Sequence, residues 1–180
     1  MEKSWRPEFP PIPLPDKDLA KIGFVAVCDS RTRHALADVW KALAFADLTS
    51  RHRIERKPAN AMLILIRKLA IKFSEEAELF SYLEELDSLI ESSTSVRRRI
   101  VHGIWGQSEG VGTMVYDVRQ GAAFPSQLLD SGVLLASECA NVAHRVQLHV
   151  ARMIADGRLK VHPPETGSAK MRVGEEWVSF

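Results

Sequence analysis

Residues 79–106, LFSYLEELDSLIESSTSVRRRIVHGIWG, constrain the fold more than any other stretch of this chain. Apolar side chains recur at Leu79, Leu83, Leu86 and Ile90, then at Ile100 and Ile104. Steps of three and four put them on one face of a helix. Between Ile90 and Ile100 the same phase passes through Ser93 and Arg97. A core-facing stripe is thus broken by polar residues just before His102. A buried charge without a partner is costly, so such a position needs a counter-ion or a function. The helix is expected to continue to Trp105 and to stop at Gly106, ahead of Gly110 and Gly112.

Three other stretches carry a helical pattern. The first spans Lys17–Ala46, with Asp16 as N-cap and Asp18 favouring the helix start. Leu19, Ile22, Ala26, Leu36, Trp40 and Leu43 share its phase, and Asp29 and Arg33 fall on it too. These two charges, four apart, form an intrahelical pair or a polar spot facing the broken stripe of the long helix. The second helix, Ala59–Phe73, is apolar through MLILIRKLAI and reads as buried, with Pro58 in its first turn. Ser74 then caps the long helix, followed by Glu75, Glu76 and Glu78. The last helix starts at Phe124-Pro125-Ser126 and runs to Ala155. Leu128, Gly132, Leu135, Cys139, Val142, Val146, Val150 and Met153 form a near-heptad seam, for the core or for a dimer interface.

Between the third and fourth helices, Val111–Arg119 has a β-like composition and predicts a short strand or hairpin. The expected fold class is therefore all-α: an antiparallel bundle of about four long helices with a small β-hairpin insertion before the last. Residues 16–156 make this domain. Five prolines make residues 1–15 an extended arm, and Pro163, Pro164 and Gly167 make 157–180 an irregular tail, with Trp177 and Phe180 docking back.

With 180 residues, 46% of them hydrophobic and 26% charged, the chain is long enough to bury a real core and is globular rather than disordered. A net charge of +1 means that any nucleic-acid binding depends on local patches. One such patch is the connector LTSRHRIERK, with Arg51, His52, Arg53, Arg56 and Lys57 as phosphate contacts, although a charge run in a loop is usually just solvated. Cys28 and Cys139 read as buried free thiols, with a disulfide as the alternative, and two cysteines exclude a Cys-rich metal site. His144 and His149 stand five apart, and His34 and His52 lack a ligand set, so no metal is expected. No phosphate-loop, dinucleotide or nucleophile-elbow motif is present, and no cofactor is expected. With no signal-peptide core and no membrane-spanning run, the expected location is the cytoplasm, away from the membrane.

Arg97 to His102 reads R-R-R-I-V-H, followed by Gly103, Ile104 and Trp105. This resembles the R-x4-6-H signature of the HEPN superfamily, and especially its bacterial subgroup with an R-N-x-x-x-H-G-x-W-type sequence. The order of helices is similar. The resemblance implies a homodimer whose paired motifs line one cleft and cut RNA without a metal. It makes the protein an endoribonuclease of the toxin or defence kind, with an antitoxin as a protein partner. Arg97 would hold the scissile phosphate, and His102 would handle protons during attack by the ribose 2′-hydroxyl. A forked guanidinium suits phosphate, and imidazole titrates near neutrality. Arg98 stands where the subgroup has Asn or Asp.

Helix geometry adds a second set of residues. Arg97 and His102 are five apart, about 140° around a helix. Arg98 and Arg99 are nearer to His102 on the surface and are candidates to assist with substrate. The competing reading is a non-catalytic dimerisation or interaction module. In it Arg97 pairs with Asp29 or Asp87, His102 caps the helix end, and Trp105 is a core lid.

Overall fold

The computed structural model describes residues 14–44, 53–54, 56–71, 76–108, 112–117, 119–159, 170–173 and 176–179. The proline-rich arm up to residue 13, Arg51, His52, Ser74, Glu75 and Phe180 lie outside them. Among the described residues the chain is mostly helical: α1 (Asp16–Ala44), α2 (Ala59–Ala70), α3 (Ala77–His102) and α4 (Gln127–Ala155). A small antiparallel sheet stands between α3 and α4, built from β1 (Ile104–Ser108), β2 (Gly112–Asp117) and β3 (Ala122–Pro125) in that order. In the tail, β4 (Lys170–Val173) pairs antiparallel with β5 (Glu176–Ser179), a hairpin where irregular chain is expected from the sequence. No helix of the described residues is long and apolar enough to cross a membrane.

Helix α1 packs on α4 and α2, and α3 packs on α4 and α2. Leu36, Met62, Leu63, Ile66, Leu79, Leu83, Leu86 and Ile90 meet in the main core, with Val142 and Val146 of α4. A second cluster, Val25, Cys28, Ile100, Leu129 and Ala136, lies toward the motif end of α3. The α4 seam from Gly132 to Met153 is largely buried within this one chain, so it serves the core. A Cβ on Gly132 would overlap Ile100 Cδ1, so the missing side chain lets α4 approach α3. Cys28 and Cys139 are free thiols, and burial pushes both above their ordinary pKa. They are protonated core residues.

Several expectations change. On α1 the buried positions are Val25, Cys28, Thr32, Leu36, Val39 and Leu43, while Leu19 and Ala26 are exposed. The core-facing line there runs through small and polar side chains that hydropathy under-weights. Thr32 satisfies its hydroxyl on the Cys28 carbonyl at 3.0 Å and so is buried at little cost. On α2 only one face is buried, through Met62, Leu63, Ile66 and Ala70, and Ile64 is 54% exposed. The start of α3 lies at Ala77, with Glu76 in the N-cap position.

The end of α3 differs most. The helix stops at His102, and the chain enters β1 where helix was expected up to Trp105. Gly103 takes extended backbone, its N–H donating to the Arg99 carbonyl at 2.9 Å. Trp105 Nε1 donates to the Ile100 carbonyl at 3.0 Å, satisfying another helix-end acceptor, and its ring packs on the second core cluster. Ile104 becomes a 62% exposed strand residue instead of a core one. Phe124 and Pro125 belong to β3, an edge strand where a proline costs no central ladder bond.

Leu86→Ala should cost about 3 kcal/mol, because Leu86 is fully buried in the main core and its removal leaves a cavity. Urea titration of both variants checks this, with Ile64→Ala expected to stay within about 0.5 kcal/mol, since half of Ile64 already faces water.

Candidate functional site

The last two turns of α3 send three consecutive arginines in two directions. Arg97 turns toward α1, where its Nη1 donates to Asp29 Oδ2 at 3.2 Å. Arg33 Nη2 approaches the same oxygen at 3.0 Å. The polar positions of the two broken stripes therefore meet, and one carboxylate ties α1 to α3. Arg98 and Arg99 turn toward the sheet. Arg98 Nη2 donates to Asp117 Oδ2 at 3.2 Å, and Arg99 Nε lies 3.5 Å from it. Arg99 Nη2 also donates to Gln120 Oε1 at 2.9 Å, and its guanidinium stacks 4.2 Å from the Phe124 ring centre.

Asp117, at the end of β2, is the anchor of this arrangement. Its side chain is only 5% exposed. Oδ1 accepts the backbone N–H groups of Arg119 and Gln120 at 3.0 and 3.3 Å. Its carbonyl accepts those of Gln120 and Gly121, and Gly121 sits at φ +63°, where the absence of a side chain makes the turn inexpensive. Burial pushes the Asp117 carboxyl up. Hydrogen bonds from the Arg119 amide, the Arg98 guanidinium and the Gln120 amide outweigh it and hold the group below the usual carboxylate range.

Arg98, Arg99, His102, Gly103, Asp117 and Arg119 line a cleft of about 220 Å³. Three guanidinium groups against one carboxylate leave it net positive. His102 is exposed at the end of α3, and its ring makes no hydrogen bond or ion pair with the described residues. The arrangement offers an anion two held guanidinium groups beside an accessible imidazole.

The structure thus separates Arg97 from His102, which the motif pairs, and gathers Arg98, Arg99 and His102, which helix geometry pairs. Arg53 is exposed and lines none of the clefts described here. Sequence reasoning missed Asp117, Arg119, Gln120 and Phe124. One signal was present: an aspartate in the β-like run VYDVRQG is disfavoured inside a strand and favoured at a turn. A cavity of about 390 Å³ between α1 and α4, lined by Ser30, Arg31, Asn141, His144 and Gln147, contains no motif residue. Among the described residues no group of three or more His, Cys, Asp or Glu is arranged to hold a metal ion. No protein-family model, curated protein or solved structure matches the chain.

Proposed function

We propose that this chain is a HEPN-like antiparallel helical bundle that acts on RNA in the cytoplasm as a homodimer. Its activity is metal-independent endoribonuclease chemistry of the toxin or defence kind. The convergence of Arg98, Arg99 and Arg119 around the exposed His102 carries this reading. Arg98 and Arg99, aligned by Asp117, bind the scissile phosphate in place of Arg97. The ribose 2′-oxygen attacks phosphorus as His102 takes its proton. The bond to the 5′-oxygen breaks, water protonates that oxygen, and a 2′,3′-cyclic phosphate remains.

A second reading has one specific observation behind it. Arg97 is engaged by Asp29, as a tie between helices would be, and this favours a non-catalytic assembly module. Incubation of RNA with the full chain in EDTA separates the two. The enzyme reading expects cyclic phosphate ends and cleavage slowed about 100-fold by His102→Ala at unchanged thermal stability; Arg98→Ala, which takes a partner from the buried Asp117, is compared at a temperature where it is still fully folded. A folded wild type that neither cuts nor binds a broad panel of single-stranded RNAs overturns it and leaves the module.

A further inference from the structure

On the α1 side of α3 lies a second positively charged cavity, of about 250 Å³. Arg33 of α1, Arg56 and Lys57 of the connector and Arg97 of α3 line it, with Asp29 and Asn60. Among the described residues, four cationic side chains against a single carboxylate leave three net positive charges in one concave space. Such a local excess of positive charge attracts anions. Part of the set is already braced, because Asp29 Oδ2 holds Arg33 at 3.0 Å and Arg97 at 3.2 Å. The N-terminus of α2 opens on the same space and adds partial positive charge, with its Ala61 amide donating to Asn60 Oδ1 at 2.8 Å.

We infer that this cavity is a binding site for a phosphate monoester. A backbone phosphodiester carries one negative charge, whereas a terminal phosphate carries about −1.5 to −2 at pH 7 and three acceptor oxygens. The excess of positive charge and the several guanidinium groups match the terminal group better. The volume is below that of a typical pocket for a whole small-molecule ligand, roughly 300–1,000 Å³, so the site takes the phosphate end and leaves the rest outside. The source is a free mononucleotide or the 5′ end of an RNA, which share this chemistry. The site is separate from the Arg98–Arg99–His102 cleft and does not depend on RNA cleavage.

The test is calorimetric titration of the full chain with AMP, with a 5′-phosphorylated hexaribonucleotide and with its 5′-hydroxyl counterpart. The proposal expects a 5′-phosphate to bind roughly tenfold or more tightly than a 5′-hydroxyl. It expects affinity to rise from pH 5 to pH 7.5, as the second phosphate proton leaves near pH 6. The double variant R56A/K57A, both residues being exposed, should lose this preference at unchanged Tm, and Arg98→Ala should keep it. AMP binding as tightly as the phosphorylated oligomer makes the ligand a mononucleotide, and binding of the oligomer alone makes it an RNA end. Equal affinity for the 5′-phosphate and 5′-hydroxyl oligomers, no binding of any probe, or a preference that survives in R56A/K57A overturns the site. Cleavage measured on Arg98→Ala and His102→Ala reports separately on the other cleft.

Discussion

Replacing Gly103 by alanine is expected to destabilise the chain by about 3 kcal/mol or more, a fall in Tm of roughly 6–12 °C for a protein of this size. Gly103 sits where α3 ends and β1 begins, with ordinary backbone angles, so the issue is space rather than conformation. A Cβ there would overlap Val115 Cγ2 and the Arg99 carbonyl oxygen. A side-chain tip can rotate, but the carbonyl is backbone and accepts the Gly103 N–H that closes the helix. Either the last turn of α3 or the middle of β2 has to move, and both carry walls of the Arg98–Arg99–His102 cleft. Gly106, three residues on, supplies the control. A Cβ there meets nothing within 4 Å, so Gly106→Ala should change stability by less than about 0.5 kcal/mol. Thermal denaturation of both variants decides the matter, and equal shifts would show that the packing argument is wrong.

Asp117→Ala is expected to lower Tm by roughly 5–10 °C, against about 2 °C or less for Asp87→Ala. The contrast follows from surroundings. Asp87 is 48% exposed and pairs with Arg67, an ion pair of the surface kind. Asp117 is buried and receives two backbone amides and two guanidinium groups. Its removal leaves the arginines facing each other without a counter-charge and the Arg119 amide without its acceptor, while the Gln120 and Gly121 amides keep the backbone carbonyl. The pH dependence has a definite sign. The carboxyl titrates lower when folded than its ordinary 3.8, so its contribution is complete above about pH 4. The contribution is lost as pH falls through the lower folded value. Wild type should therefore lose more stability than Asp117→Asn between about pH 4 and pH 2, and parallel curves would remove Asp117 as the anchor.

Much of the helical content was legible because helix period is local. Leu79, Leu83, Leu86 and Ile90 recur on one face whatever they pack against, and all four are buried. The interruption at Arg97 and the Asp29–Arg33 pair were legible for the same reason. The strands were less so. Ile104 continues the helical phase of Ile100, and this phase put the expected stop at Gly106 although Gly103 is a nearer glycine. After the turn Val115 packs close against Gly103, brought there as β2 pairs with β1.

The site divides in the same way. That three arginines and a histidine crowd the end of one helix, with Arg98 and Arg99 nearer His102 than Arg97, could be read from residue order and helix period alone. Which carboxylate takes each arginine depended on the fold. Asp29 arrives from 68 positions earlier to hold Arg97, and Asp117 folds back across 19 to hold Arg98. A helix turns 100° per residue, so neighbouring side chains face different neighbours, and the identity of those neighbours is set by packing between elements distant in the chain.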